Sequence, residues 1–184
     1  MQSVYETDRL ILKMLGVEHA GLVLDYHLRN MEFLRPWEAL RDETYFTVEF
    51  HEKILENDLA GFLNGTSLRL WVFKKGCAER VIGLVAFNEL VRGSFQSCFL
   101  GYKLDKDEIN KGYMTEAVRK GIDVMFNDYR LHRIEANIMP SNRPSLRVVQ
   151  KLGFHNEGLA SKYLKINGRW EDHLHWVLLN DALE

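Results

Sequence analysis

Residues 110–126, NKGYMTEAVRKGIDVMF, set a small polar turn and a glycine ahead of a helical pattern. The first N–H groups of a helix have no partner within it and carry the positive end of its dipole, so such a turn can hold an anion. Gly112 would let the backbone approach that anion closely. The same letters also describe a loop that only starts a helix. A second stretch, SNRPSLRVVQKLGF at 141–154, puts Asn142 where an N-cap belongs and Pro144 in the first turn, where its missing N–H costs nothing. His51, His132, His155, His173 and His175 are scattered. His173 and His175 alternate on a strand and share a face, but no third ligand follows by spacing, so no metal is expected. The absence of a G-x-x-x-x-G-K-[ST] motif disfavours a P-loop kinase.

The elements that would position these residues follow from periodicity. Residues 9–15, RLILKML, read as a first strand. Ala20, Leu22, Val23, Tyr26 and Leu28 fall near helical spacing. Residues 33–40, FLRPWEAL, read as an irregular connection, and Val48, Phe50, Ile54, Leu55, Leu59 and Phe62 predict a second helix over 44–64. Three strands follow at 67–75, 81–90 and 95–104, with GCAER and RGS as turns between them. After a polar loop at 105–112, Met114, Ala117, Val118, Gly121, Ile122, Met125 and Phe126 make one buried helical face. HRIEANIM predicts a strand, 141–154 a helix ended by Gly153, and 159–179 a closing hairpin through Asn167-Gly168. The pattern is α+β: helices first, an antiparallel meander, then strand–helix–strand–helix–strand.

With 184 residues, no repeats and no linker, one domain over residues 1–184 is expected. The 46% hydrophobic and 27% charged content supplies a core and argues against disorder. A net charge of -2 gives no sign of direct nucleic-acid binding, which needs a basic excess. Two cysteines, Cys77 and Cys98, make no disulfide framework, so a reduced, cytoplasmic setting is expected. Charges interrupt the first apolar stretch, so no secretory leader is expected, and no apolar run reaches the roughly 20 residues that span a bilayer.

Three stretches in order, ETDRLILKML, LGYKLDKDEINKGYMTEA and NIMPSNRPSLRVVQKLGF, resemble the GNAT N-acetyltransferase superfamily, and within it the RimJ/RimL-type branch that acetylates protein N-termini. The resemblance covers nearly the whole chain. It implies the GNAT fold, a mixed, mostly antiparallel central sheet flanked by helices, and acetyl-CoA as co-substrate without a metal. It also implies that the strand ending in Gly101, Tyr102, Lys103 and Leu104 parts from its neighbour and pairs with the pantetheine amides, as an added strand would. Asn110, Lys111, Gly112, Tyr113, Met114 and Thr115 would cradle the pyrophosphate, and Asn137 and Asn142 would bond the coenzyme A arm. The superfamily loop, Q/R-x-x-G-x-G/A, has Ile109 and Met114 at its first and last positions here. The tyrosine that many members use as general acid corresponds to Val149, and Ser145 matches the serine that replaces it in this branch. Glu89, at the end of VIGLVAFNEL, is the candidate base, and Phe33 and Trp37, beside Arg35, are candidate walls of the acceptor pocket. The acceptor implied is a protein N-terminus. Alternatives are a small amine (a polyamine, amino acid or aminosugar), or an acyl-CoA-binding module without activity. A homodimer is a further expectation.

Overall fold

The structure, a computed structural model, describes residues 3–183. Residues 1, 2 and 184 of the expected domain lie outside the described residues. The chain runs through β1 (Val4–Glu6), β2 (Leu10–Lys13), α1 (Ala20–Leu34), α2 (Val48–Leu63), β3 (Leu68–Lys74), β4 (Cys77–Val91), β5 (Ser97–Leu104), α3 (Tyr113–Asn127), β6 (Arg133–Ile138), α4 (Arg143–Lys151), β7 (His155–Ile166) and β8 (Arg169–Leu179). The strands form one sheet in the order β1-β2-β3-β4-β5-β6-β8-β7. Every pair is antiparallel except β5 with β6. This is the α+β pattern that the periodicity predicts, with the mixed, mostly antiparallel sheet that the resemblance implies.

Alternation along β3 shows how the sheet serves two cores. Leu68, Leu70 and Val72 point to the side that also buries Ala117, Val118 and Met125 of α3. Trp71 and Phe73 point to the side covered by Val23 and Tyr26 of α1 and Leu55 of α2. Gly121 of α3 lets that helix sit directly on β4, since a Cβ there would come within 2.7 Å of the Phe87 ring. The turn at Asn167-Gly168 forms as expected, with both residues at positive φ and Ile166 paired to Arg169.

The structure differs from the expectations at several points. β1 was not foreseen: only Tyr5 of its three residues is buried, so it has no periodicity to read. β4 begins at Cys77, and its first three residues are exposed. The chain reverses at Lys75 and Gly76 instead of across the whole of GCAER. The buried stripe of α2 is His51, Leu55, Asp58 and Phe62, whereas Val48 and Leu59 are exposed. The buried stripe of α1 likewise contains His27 and Asn30, and Leu28 faces solvent. Polar residues thus share the buried faces with the expected apolar ones: Asn30 donates to the Tyr26 carbonyl, Asp58 pairs with Arg69, and His27 stacks on His51. No helix among the described residues is long and apolar enough to cross a membrane.

Candidate active site

β5 and β6 pair over only three positions, Ser97–Arg133, Cys98–Ile134 and Phe99–Glu135. Beyond Phe99, β5 remains paired to β4 as far as Leu104, and β6 remains paired to β8 as far as Ile138. The two strands therefore part, and the edge of β5 that faced β6 has no strand beside it. A bulge lies next to the parting, where the β4–β5 register shifts between Asn88 and Val91 and Glu89 takes φ 51°. Bulges increase local twist, which turns the strands apart. The parting opens a cleft of about 660 Å³.

One end of the cleft is the loop before α3. Asn110 and Gly112 take φ 60° and 81°, and Gly112 is the N-cap residue of the helix. A turn of this kind points successive N–H groups to one side and makes an anion-binding concavity. The loop is fixed from outside. Asp105, fully buried, is paired with Arg29 and Arg80 and accepts from the Asp107 N–H at 3.0 Å. The side chain of buried Asn30 accepts from the Lys106 N–H at 2.9 Å. Glu108 joins Lys74 of β3, at 2.6 Å, to Lys111, at 2.9 Å. Burial alone would raise the Asp105 and Glu108 carboxyls, but these hydrogen bonds and cations hold both below the usual carboxylate range.

The far wall is the start of α4. Asn142 accepts from the Ser145 N–H at 3.3 Å, the capping bond its position predicts, and Pro144 lies in the first turn. The Tyr102 hydroxyl donates to the Ser145 carbonyl at 2.8 Å, tying β5 to α4 across the gap. Val149 is buried in the core and lies outside the cleft lining.

The near wall is made by the end of α1 and the 3-10 turn after it, which carry Phe33, Trp37 and Glu38. Glu38 binds Lys103 at 2.8 Å, and its carbonyl accepts from the Asn167 N–H of the β7–β8 turn at 2.8 Å. Burial lowers the Lys103 ammonium from its usual value, and Glu38 offsets part of that. Arg69 also lines this side, 3.5 Å from Asp58. The wall is therefore rich in fixed charge, with two cations close together.

Of the residues singled out by sequence, Phe33, Trp37, Tyr102, Lys103, Leu104, Asn110, Gly112, Met114, Thr115, Asn137, Asn142 and Ser145 all line the cleft. Lys111 and Tyr113 do not: the Lys111 side chain turns back to Glu108, and the Tyr113 ring lies under Arg9 at 4.6 Å. Glu89 is exposed at the bulge and is also outside the lining, because its positive φ turns it out of the strand's alternation. Glu38, Asn88 and Arg147 line the cleft without having been singled out, and His173, weighed above only as a metal ligand, lines it too. For one of them a signal existed: Lys103 inside an otherwise apolar strand requires a carboxylate partner. Among the described residues no three His, Cys, Asp or Glu could hold a metal ion.

The model of the acetyltransferase (GNAT) domain matches residues 9–155. The ribosomal protein uS5-alanine N-acetyltransferase of Escherichia coli (strain K12) is 36% identical over 168 residues, 91% of this chain and 86% of that one. The crystal structure of the ribosomal-protein-S5-alanine acetyltransferase of Vibrio fischeri superposes with a TM-score of 0.94 at 33% identity, covering 100% of both chains. RimJ of Mycobacterium smegmatis, solved in complex with CoA-disulfide, superposes with a TM-score of 0.88 at 28% identity, covering 95% of this chain and 83% of that one.

Proposed function

Because the chain belongs to the GNAT acetyltransferase family, in its RimJ/RimL-type branch, we propose that it moves acetyl from acetyl-CoA to the N-terminal α-amine of a protein, a ribosomal one, in the cytoplasm. The observation that carries this reading is the parting of β5 and β6 at Phe99, opening on a cleft that ends at the loop of Asn110 and Gly112. The free edge of β5 suits the pantetheine amides, and the loop with the start of α3 suits the pyrophosphate. The uS5-alanine enzyme and the CoA complex among the relatives support the acceptor and the co-substrate.

The amine attacks the thioester carbonyl directly, so one C–N bond forms and one C–S bond breaks, with no covalent enzyme intermediate. A β5 N–H near Tyr102 or Lys103 would meet the developing oxyanion. Ser145 would donate to the departing thiolate. The amine must be neutral, which favours an α-amine with a pKa of about 7.7–8.0 over a lysine near 10.4. Lys103 and Arg69 favour the neutral form of whichever amine enters, because nearby cations disfavour a charged one. Glu89, outside the cleft lining, would take the amine proton only through water.

A peptide with a small free N-terminal residue and an internal lysine tests the reading. Mass spectrometry is expected to find acetyl on the α-amine alone. Label on lysine alone, or on polyamines but never on peptides, would move the acceptor to another class. Acetyl-CoA bound with no label on any amine would favour the binding module.

Gly112→Val is expected to weaken acetyl-CoA binding at least about tenfold with the fold retained, since the left-handed φ of 81° strains any β-branched residue. Unchanged affinity by calorimetry would remove the loop from the co-substrate site.

A further inference from the structure

The stretch ETDRLILKML has no role in the chemistry above, yet its Arg9 reaches the loop before α3. The Thr7 hydroxyl donates to Glu116 Oε1 at 2.6 Å, and the Arg9 N–H donates to the same oxygen at 3.0 Å. Arg9 Nε and Nη2 both reach Glu116 Oε2 at 2.6 Å. Glu116 lies in the first turn of α3. Nη1 of the same guanidinium donates to the Lys111 carbonyl at 3.0 Å. Its plane lies 4.6 Å from the centre of the Tyr113 ring, and Nη2 would be 3.4 Å from a Cβ on Gly112. One side chain from the β1–β2 turn thus touches residues 111, 112, 113 and 116. Opposed by burial, these bonds hold the Glu116 carboxyl below its usual range, so it is the charged partner.

We propose that Arg9 is a positioning residue for the acetyl-CoA pyrophosphate: by gripping the Lys111 carbonyl against Glu116, it aims the Gly112 N–H into the cleft. The proposal rests on the functional reading above. Its basis is the planarity of the peptide bond, in which C=O and N–H point opposite ways. The peptide joining Lys111 to Gly112 has its oxygen held on the Arg9 side, so its N–H points away from Arg9. Asn110 and Gly112 line the cleft and Arg9 does not, so away from Arg9 is toward the cleft. A glycine peptide flips easily when its carbonyl is free, because Gly112 tolerates both signs of φ. A flip would replace an N–H at the anion by a carbonyl oxygen. A fork is needed for the grip, since it must meet a carboxylate and a carbonyl at once; lysine offers one point charge.

The test compares two acetyl donors. Acetyl-pantetheine lacks the pyrophosphate and does not use the loop, whereas acetyl-CoA does. In Arg9→Lys, KM for acetyl-CoA is expected to rise about tenfold, the usual worth of a charge-assisted hydrogen bond. KM for the acceptor peptide and turnover of acetyl-pantetheine should equal wild type. Glu116→Gln should act in the same direction, and the double variant should be no worse than the poorer single one, since both break one grip. Equal losses with both donors, or additive losses in the double variant, would overturn the positioning role. So would an unchanged KM for acetyl-CoA in a folded Arg9→Lys. Should Arg9→Lys not fold, Glu116→Gln gives the same comparison. Wild-type protein that binds no acetyl-CoA would instead sink the functional reading itself, which separates the two failures.

Discussion

Ser145→Ala is expected to lower kcat by a factor of about 10²–10⁴, the usual worth of an acid–base group, and to leave acetyl-CoA affinity within about twofold. The substitution is clean for a structural reason. Both hydrogen bonds that fix Ser145 use its backbone: its N–H to Asn142 and its carbonyl from Tyr102. Alanine keeps both and deletes only the hydroxyl. Ser145 is also not the N-cap, a role filled by Asn142, so helix α4 loses no cap. A departing thiolate in a closed site needs a donor, and the position used by many family members for a tyrosine is filled by the buried Val149. Steady-state kinetics with saturating acceptor, beside calorimetry for acetyl-CoA, reads the two quantities separately. Unaltered kcat would make Ser145 a first-turn residue with no part in proton delivery.

The second large effect is on stability, and it comes from the histidines beneath the near wall. His27 of α1 and His51 of α2 are buried and stack at 4.9 Å with their planes 5° apart. The Tyr45 hydroxyl lies 3.2 Å from His27 Nδ1, and the Trp71 ring packs on His27 edge to face. Burial is the main reason both imidazoles resist protonation, and Lys103 and Arg41 add to it, with Arg69 acting on His27 as well. His51 is pushed down to about 4, and His27 is lowered further. Below the unfolded value of about 6.5, the unfolded chain takes up these protons and the folded chain does not. Stability is therefore full above pH 6.5 and lost as pH falls below it. The loss is up to about 1.4 kcal/mol per pH unit for each histidine, or up to about 5 kcal/mol for both between pH 6.5 and 4.5. That rivals the whole stability of an ordinary domain, about 5–15 kcal/mol. Asp58, whose pKa burial raises, works the other way and offsets part of it. Asp105, Glu108 and Glu116, all lowered, give up their contribution only below the usual carboxylate value of about 4. Thermal melts should thus show Tm falling from pH 6.5 to 4.5, and a His27→Gln/His51→Gln variant should be nearly flat there. A wild-type Tm independent of pH over that window would refute the account.

The same histidines explain what was legible in the sequence and what was not. Strands such as β3, and α3 with its single apolar stripe, follow directly from spacing, because each buries only apolar side chains on its face. Spacing locates α1 and α2 and puts Ala20, Val23, Tyr26, Leu55 and Phe62 on their inward faces, but it misses His27, Asn30, His51 and Asp58, because no local pattern marks a polar residue as buried. In the site, the loop and the α4 cap were legible as local motifs. The pairs Lys103–Glu38 and Arg9–Glu116 were not, since their members lie 65 and 107 residues apart and meet only where the turn after α1 and the start of α3 pack against the sheet. Glu89 shows the converse. It sits on the expected strand, but a bulge, invisible in the spacing, turns it out of the lining.

The three-position ladder between β5 and β6 is also a seam in the mechanics of the molecule. On one side β1 to β5 form a continuous ladder, and on the other β6, β8 and β7 form a second. The edge pair β1–β2 is as short, but β3–β4 and β4–β5 share seven positions each, β6–β8 six and β7–β8 eight. The short ladder is backed by one core that runs beneath both sides, from Leu70 and Val85 to Ala136. An extended ligand lying in the gap bridges them as a strand would, and at a hundredfold excess over its Kd it adds about 2.7 kcal/mol to the folded state. On the proposed reading, acetyl-CoA bound in the gap would therefore also act as a rivet between the two ladders, released at each turnover.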